Sequence, residues 1–295
     1  MKAISITPSW LIEKKKDFTE GVKNLGKLGI TVVNTAFPGH LPTPVEKARQ
    51  IHRAFIDPSV DMILAQRGGY SSMKSLPYVD FSLIKRHPKI FAGFSDISTL
   101  LNAIYERTGL ITLHAPMIIN FSRPTPFTKR SFRNAVEGFP EKNLFKGAPV
   151  TVYRPGIARG TLKGGNLVTL TALIGTPWET KTDGAILFFE DVDEKLHEVD
   201  RCLTQWILRG KLQKVRGLIL SDFRGVRNKD VFSVVSQQMK IPFPVVYCPY
   251  IGHVKNKITL PVGAQAELNT HNKTLTIMNF GNSMKIFDRI TGCTG

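Results

Sequence analysis

The sequence contains few cysteines, no long apolar run and no apolar segment of the kind found in a signal peptide. Its 295 residues include three cysteines, Cys202, Cys248 and Cys293, which follow no metal-ligand spacing. An odd number of cysteines in a chain of this length argues against a framework of disulfide bonds. No run of about 18 apolar residues occurs, so we expect no membrane-spanning helix. The segment from Met1 to Trp10 lacks the apolar core of a signal peptide, and we expect a cytoplasmic protein.

Motifs for metals and nucleotide cofactors are also missing. The sequence has no paired-cysteine pattern and no His-Glu-x-x-His run, which are common zinc-binding signatures. The glycines at Gly68-Gly69 are not followed by the Gly-Lys-Ser/Thr ending of a P-loop. The glycines at Gly164-Gly165 precede a predicted helix but lack the G-x-G-x-x-G spacing of a dinucleotide site. We therefore expect neither a metal ion nor an organic cofactor.

Acidic residues are scarce relative to basic ones. The 23 Asp and Glu residues stand against 40 Lys and Arg, which gives a formal net charge of +17. Such an excess favours an anionic partner. The basic residues are spread along the chain, and no nucleic-acid-binding motif accompanies them, so we do not expect specific binding to nucleic acid. The positive field would instead attract a small peptide substrate that carries several carboxylates.

The most informative segment is Gly93-Phe94-Ser95-Asp96, which lies between an apolar run and a predicted helix. An α/β hydrolase places its nucleophilic serine at such a strand–turn–helix junction, where the hydroxyl projects from the sheet. The free N–H groups of the following helix would stabilise an oxyanion. Two observations favour a simpler interpretation. A serine before a helix is a common N-cap, and Ile97 occupies the position of the last glycine in the G-x-S-x-G pattern.

The order of predicted elements indicates an α/β fold. Residues 1–122 alternate strand-like and helix-like segments, with strands expected near 62–66, 89–93 and 110–114, and this order predicts a parallel sheet with crossover helices. We expect a flavodoxin-like or class I glutamine amidotransferase-like N-terminal domain here. A proline-punctuated connection follows over residues 123–149. Residues 150–295 are predicted to form a second, smaller domain of mixed α/β structure.

Several separated segments, taken in order, resemble the LD-carboxypeptidase family. This family of serine peptidases includes muramoyltetrapeptide carboxypeptidases and microcin C self-immunity peptidases. The similarity extends from about residue 5 to about residue 268. The segments that carry it are Gln66-Arg67-Gly68-Gly69-Tyr70, Gly93-Phe94-Ser95-Asp96, Phe188-Phe189-Glu190-Asp191 and Gly252-His253-Val254-Lys255-Asn256.

The resemblance implies a Ser95–His253–Glu190 catalytic triad. A serine hydroxyl needs a base to take its proton, and the imidazole of histidine suits this task. Among seven histidines, His253 is the best candidate because it follows Gly252 in a predicted loop after a strand. A carboxylate would then orient the imidazole. Asp191 is an alternative to Glu190, because a register error of one residue exchanges the faces of a strand.

Four further residues are candidates for contacts with the substrate. The backbone N–H of Asp96, which follows the nucleophile, and that of Gly69 are predicted to form the oxyanion hole. The glycine would allow close approach of the backbone to a ligand, although a glycine in such a turn often has only a conformational role. Arg67 is a candidate for binding a substrate carboxylate with two parallel hydrogen bonds. Asn166 is our other candidate for substrate binding.

The resemblance implies removal of the C-terminal D-amino acid from the L,D bond of a murein tetrapeptide, as part of cytoplasmic peptidoglycan recycling. The second hypothesis is hydrolysis of a microcin C-type aminoacyl-nucleotide. Trp178 or Trp206 would stack on the base, although a place in the core or at an interface suits each tryptophan equally well. A hypothesis of a different class is a binding protein that keeps the fold but has no activity. We expect no membrane partner, and we expect the chain to form a homodimer.

Overall fold

Strands and helices alternate along most of the chain in a computed structural model that describes residues 1–35, 37 and 39–280. Cys293 and the end of the predicted second domain lie outside these ranges. The strands, numbered in chain order, are β1 Lys2–Ile6, β2 Thr31–Val32, β3 Met62–Ala65, β4 Ile90–Gly93, β5 Thr112–His114, β6 Thr151–Arg154, β7 Ile157–Asn166, β8 Ala185–Val192, β9 Gly217–Arg224, β10 Val245–Tyr247, β11 Leu260–Val262, β12 Gln265–Asn269 and β13 Thr274–Asn279.

The helices pack on both sheets. The α-helices are α1 Lys15–Gly26, α2 Pro44–Ile56, α3 Phe81–Arg86, α4 Ser98–Thr108, α5 Pro126–Val136, α6 Leu167–Thr171, α7 Leu196–Leu208 and α8 Asn228–Gln238. Short 3₁₀ helices cover Ser72–Tyr78, Ser95–Ile97 and Ile118–Ser122. Within the described residues, none of the helices has both the length and the apolar character needed to cross a membrane.

The first sheet has six strands in the order β11-β5-β4-β3-β1-β2. Strands β1 to β5 are parallel, and β11 pairs with β5 in the antiparallel direction. Every residue of β3 and β4 is buried, as expected for parallel strands covered by helices on both faces. The predicted parallel sheet is therefore confirmed.

The second sheet has seven strands in the order β13-β12-β7-β8-β9-β10-β6. Strands β7 to β10 are parallel, and antiparallel strands flank them on both sides. The predicted mixed α/β structure of the second half is confirmed. The first sheet also draws on this half, because β11 lies beyond residue 150. The division into 1–122, 123–149 and 150–295 stays a prediction.

Helix α4 of the first sheet packs directly on the end of β7 in the second sheet. The Asn102 side-chain amide donates to the Gly164 carbonyl at 2.9 Å, and Ser98 Oγ accepts from the Asn166 backbone N–H at 3.1 Å. A Cβ atom added to Gly165 would lie 2.3 Å from Ser98 Oγ, so the glycine makes this approach possible. The contact fixes the start of α4 against the carboxyl ends of β7 and β8.

Replacing Gly165 by alanine should therefore weaken the contact between the two sheets. Gly165→Ala adds a methyl group against Ser98 at a backbone φ of 141° that L-residues rarely adopt. The matched control is Gly175→Ala, at a φ of 86° with no heavy atom within 4 Å of the added carbon. We expect Gly165→Ala to lose about 1–3 kcal/mol more unfolding free energy than the control in urea titrations. Equal losses would contradict this account of the contact.

Candidate active site

Ser95 lies at the junction that the sequence predicted, directly after β4 and in the turn that leads into α4. Its φ is 65°, a left-handed conformation that non-glycine residues adopt only under strain. The residue at the N-cap of α4 is Ile97, so Ser95 does not cap that helix. A Cβ atom on Gly68 would lie 2.9 Å from Ser95 Oγ. The glycine thus leaves room for the hydroxyl at the carboxyl edge of the first sheet.

Three predicted residues from distant segments meet at this edge. His253 Nε2 lies 3.0 Å from Ser95 Oγ, and His253 Nδ1 lies 2.7 Å from Glu190 Oε2. Ser95 follows β4, Glu190 lies in β8, and His253 lies in the loop after β10. A carboxylate at Nδ1 favours the tautomer in which Nε2 accepts a proton from the serine. The arrangement suits transfer of the Ser95 proton to His253.

Gly252 lets the histidine loop pass directly over the carboxylate. Its φ is 88°, and a Cβ atom at this position would lie 2.2 Å from Glu190 Oε2. Any side chain here would therefore displace the carboxylate or the loop. The close approach of the loop to Glu190 thus explains why a glycine precedes His253.

Glu190 is fully buried and is held in its charged form by its neighbours. Burial raises the pKa of this carboxyl, but attraction to His253, their hydrogen bond and a smaller attraction to His114 outweigh burial. The net result is a pKa below the ordinary value for glutamate. The negative charge is therefore available to stabilise the imidazolium of His253 when that ring takes a proton.

Asp191, the alternative to Glu190, has a different partner set. Its carboxylate accepts from the Asn166 side-chain amide at 2.8 Å and from the Val168 N–H at 2.9 Å, at the start of α6. Burial, followed by the charge of Glu190, raises the pKa of Asp191 to about 6. The register of β8 thus directs Glu190 to His253 and Asp191 to the helix.

His114 is a buried neighbour of the site to which the sequence assigned no role. Its ring packs edge-on against Phe94 and Phe188, with centroid distances of 5.8 and 5.1 Å. Among the described residues, neither ring nitrogen has a hydrogen-bond partner. Burial lowers the pKa of His114 to about 4; Glu190 opposes this shift, whereas His253 and Lys257 add to it. The residue is therefore neutral near pH 7. Its position at the carboxyl end of β5 is the sequence feature that could have indicated a place near the site.

The two residues predicted to form an oxyanion hole are Asp96, which follows the serine in the chain, and Gly69. Asp96 N–H lies in the first turn of a helix, where backbone donors lack intrahelical acceptors. The Asp96 carboxylate accepts from Ser9 Oγ and, at 2.8 Å, from Ser72 N–H, which fixes the turn. Gly69 faces Ser9 and Trp10, whereas its neighbour Gly68 faces Ser95. The role of the Gly69 N–H as a donor stays a prediction.

Arg67 and Asn166 already have protein partners. Arg67 Nη1 donates to the Leu11 carbonyl at 3.1 Å and to Glu13 Oε1 at 2.8 Å, and the side chain is one-third exposed. The Asn166 side chain is buried, and it caps α6 by accepting from Thr169 N–H at 3.1 Å. Asn166 therefore caps the start of α6 and holds the carboxylate of Asp191 in place. A direct contact of either residue with substrate stays a prediction.

The two tryptophans proposed for base stacking differ in exposure. Trp206 is buried, contacts Phe189 edge-on and donates through Nε1 to Thr171 Oγ1 at 2.7 Å. The hypothesis that Trp206 stacks on a nucleotide base is therefore wrong, because the indole belongs to the core. Trp178 is half-buried and packs at the edge of the core beside α4.

Metal ligands are not clustered in the described part of the chain. No group of three or more His, Cys, Asp or Glu side chains there is arranged to hold a metal ion.

Two family models match the chain in consecutive parts. The LD-carboxypeptidase N-terminal domain matches residues 4–115, and the LD-carboxypeptidase C-terminal domain matches residues 159–268. The first match includes Ser95 and Asp96, and the second includes Glu190 and His253. Together the matches cover most of the chain.

Relatives with assigned names and solved structures agree with these matches. A probable murein peptide carboxypeptidase of Bacillus subtilis is 37% identical over 242 residues, which are 79% of this chain and 76% of the relative. The microcin C7 self-immunity protein MccF of Escherichia coli is 27% identical, covering 90% of this chain and 89% of the relative. The crystal structure of a muramoyltetrapeptide carboxypeptidase from Oxalobacter formigenes superposes with a TM-score of 0.78 at 29% identity, over 93% of this chain and 97% of that one.

The environment of His114 predicts a specific loss of stability in acid. Between pH 6.5 and about 4, the unfolded chain takes up a proton that the folded protein excludes, so unfolding becomes easier as the pH falls. His114→Leu removes this contribution. We expect the loss of unfolding free energy from pH 7 to pH 4.5 to shrink by roughly 2–3 kcal/mol, at about 1.4 kcal/mol per pKa unit. Urea titrations at both pH values measure it.

The control for this experiment is His271→Leu, because His271 is exposed in the turn between β12 and β13. It should leave the pH dependence of unfolding unchanged. If His114→Leu showed the same acid sensitivity as the parent protein, His114 would not be the source of the effect.

Proposed function

Because the chain belongs to the LD-carboxypeptidase family, we propose that it is a serine carboxypeptidase with Ser95 as nucleophile, His253 as general base and acid, and Glu190 as the carboxylate that orients His253. The observation that carries this assignment is the pair of distances at His253: 3.0 Å from Nε2 to Ser95 Oγ and 2.7 Å from Nδ1 to Glu190 Oε2. Both lie within the range needed for proton transfer in a triad.

In the proposed reaction, Ser95 Oγ attacks the carbonyl carbon of the scissile amide while its proton passes to His253 Nε2. The tetrahedral intermediate collapses when the imidazolium returns this proton to the leaving amine, which departs as the C-terminal amino acid. Water then attacks the acyl-enzyme, again with His253 as base, and the Ser95 hydroxyl is restored. Each bond that forms is matched by one that breaks, and no external oxidant or cofactor takes part.

The buried carboxylate supports the charged intermediate of this sequence. When His253 is protonated, the nearest negative charge is that of Glu190, which has no exposed surface. In such a low-dielectric position the attraction is stronger than it would be in water. The N–H of Asp96 and one from the Gly68-Gly69 turn are proposed to hold the oxyanion, because both segments adjoin Ser95.

We propose a murein tetrapeptide as the substrate, with cleavage at the L,D bond that holds its C-terminal D-amino acid. Support comes from the names of the Bacillus and Oxalobacter relatives, which are murein peptide and muramoyltetrapeptide carboxypeptidases. The net charge of +17 suits a substrate with several carboxylates. On this proposal the protein acts in cytoplasmic peptidoglycan recycling and forms a homodimer.

The second candidate is hydrolysis of an aminoacyl-nucleotide of the microcin C type. Its support is the similarity to MccF over 90% of the chain. Since Trp206 belongs to the core, Trp178 is the remaining candidate for stacking on a base. A binding protein without activity is the candidate of a different class, and the proximity of Ser95 to His253 argues against it.

Removing the nucleophile should abolish turnover and leave the fold intact. Ser95→Ala deletes only a hydroxyl, so we expect kcat to fall by at least about a thousandfold, as is typical for loss of a triad member. The exposed Ser82 of α3 provides a matched control, and Ser82→Ala should keep the parent rate. A fluorophosphonate probe should label the parent protein and Ser82→Ala but not Ser95→Ala. Retention of more than about a tenth of the rate by Ser95→Ala would exclude Ser95 as the nucleophile.

The substrate assignment is tested by direct competition. The protein is incubated with a murein tetrapeptide and an aminoacyl-sulfamoyl adenylate at equal concentrations, and products are followed by mass spectrometry. We expect release of the C-terminal D-amino acid from the tetrapeptide at the higher kcat/KM. Faster hydrolysis of the adenylate would favour the microcin-type function. Hydrolysis of neither, together with a serine inert to the probe, would favour the binding protein.

A further inference from the structure

Lys257 is a buried cation four residues beyond the proposed base. Only 8% of its surface is exposed. Its Nζ donates to the Gly252 carbonyl at 2.8 Å and also to the Val254 carbonyl. These two carbonyls flank His253 in the chain. The ammonium therefore closes the turn that carries the imidazole.

The same ammonium also contacts the segment that carries the nucleophile. Nζ lies 5.0 Å from the ring centroid of Phe94, the residue before Ser95, in a cation–π arrangement. The Phe94 ring in turn lies 4.9 Å from the ring of His253. Lys257 thus links the β4 end of the site with the loop after β10.

Backbone hydrogen bonds at Lys257 and Ile258 hold the C-terminal end of the loop. Lys257 N–H donates to Thr128 Oγ1 of α5 at 3.0 Å, and Ile258 N–H donates to the Tyr250 carbonyl at 2.6 Å. Between Tyr250 and Lys257 the backbone is bonded at further points, since Ile251 contacts Ser221 Oγ and Thr128 Oγ1 donates to the Lys255 carbonyl at 3.3 Å. The ammonium adds the contacts to the two carbonyls on either side of His253.

Core packing alone does not account for a lysine at this position. Burying a charge is costly unless it is paired. The buried Lys163 meets that cost by an ion pair with Glu106 at 2.7 Å. No carboxylate among the described residues forms an ion pair with Lys257. An apolar side chain would fill the same space at a lower desolvation free energy. We therefore look for the role of Lys257 in its charge and its N–H donors.

We propose that Lys257 is a positioning residue for His253: its ammonium fixes the turn from Gly252 to Val254 and so directs Nε2 toward Ser95. This inference rests on the proposed serine mechanism, and it adds a charged group whose protonation the reaction requires. The charged and titratable groups that face Lys257 are Glu190 in β8, His114 in β5 and His253 in its own loop. Lys257 takes no proton from the substrate and touches no reacting atom.

The contacts by which Lys257 fixes the turn should weaken at mildly alkaline pH. Burial lowers the pKa of Lys257 to about 8, although the negative charge of Glu190 opposes the shift. Below this pH the ammonium offers three donors and a cation to Phe94. Above it the neutral amine keeps two donors, enough for its two carbonyl partners, but these hydrogen bonds are no longer charge-assisted and the attraction to the ring is lost. Activity should therefore decline as the pH rises through about 8.

The test is the ratio of kcat/KM between the parent protein and Lys257→Met, measured on the murein tetrapeptide from pH 6.5 to 9.5. Methionine keeps an unbranched side chain that is one heavy atom shorter, and it removes the charge and the donors. We expect a loss of roughly tenfold to hundredfold at pH 7, mainly in kcat, as is typical of a misplaced catalytic group. The ratio should fall above pH 9 but stay above one, because the parent then also lacks the cation while its neutral amine keeps two donors that methionine does not have. A residue needed only for packing would give a ratio independent of pH.

The matched control is Lys255→Met, an exposed lysine of the same loop, which should follow the parent profile. Lys257→Arg restores a cation that does not titrate, so it should recover activity relative to Lys257→Met and show no decline near pH 8. If Lys257→Met fails to fold, as judged by circular dichroism, the profile of Lys257→Arg decides alone. A parent-like kcat in Lys257→Met, a constant ratio, or a decline near pH 8 in Lys257→Arg would overturn the inference.

Failure of this inference is distinguishable from failure of the mechanism beneath it. Ser95→Ala is assayed in parallel. If Ser95→Ala is inactive and Lys257→Met follows the parent profile, the serine mechanism stands and the role of Lys257 is wrong. If Ser95→Ala is active, the proposed function itself fails.

Discussion

The contact between helix α4 and the end of strand β7 determines whether a site exists at all. Asn102 and Ser98 bond directly to the backbone of Gly164 and Asn166, and Gly165 has no side chain to hold the two apart. Because Ser95 lies just before α4, and because β8 runs beside β7, this contact sets the distance between the serine and Glu190. The proposed triad therefore depends on how the two sheets dock rather than on either sheet alone.

Charge burial is the second organising feature. Three ionisable side chains, Glu190, His114 and Lys257, are buried around His253 and influence one another. Glu190 is held charged by its partners, whereas His114 is kept neutral by burial. The site thus contains a carboxylate that its partners hold charged and a buried lysine bonded to the loop, and both lie near the imidazole that we propose as the base. Such fixed charges need little rearrangement as the reaction proceeds.

Local sequence predicted the strand–turn–helix junction at Ser95, and the family resemblance singled out Ser95 as the proposed nucleophile together with its partners. The strand–turn–helix at Ser95 depends on neighbours in sequence, so periodicity and turn chemistry predicted it. His253 and Glu190 come from remote segments, and only their place in a family pattern singled them out. The pairing of β11 with β5, the burial of His114 and the core position of Trp206 depend on tertiary packing. No local pattern records them, which explains why the pairing of β11 was not foreseen and why the sequence left both a core position and base stacking open for Trp206.

Strand β11 has a consequence for how the chain is made. It forms an edge of the first sheet beside β5, yet it is encoded after nearly all of the second sheet and after His253. During synthesis, β5 therefore leaves the ribosome long before its neighbour and presents an unpaired edge in the meantime. The last step in completing this sheet also brings the histidine loop to Ser95. Covering the edge of β5 and placing His253 beside Ser95 consequently depend on the same segment of the chain, which is synthesised late.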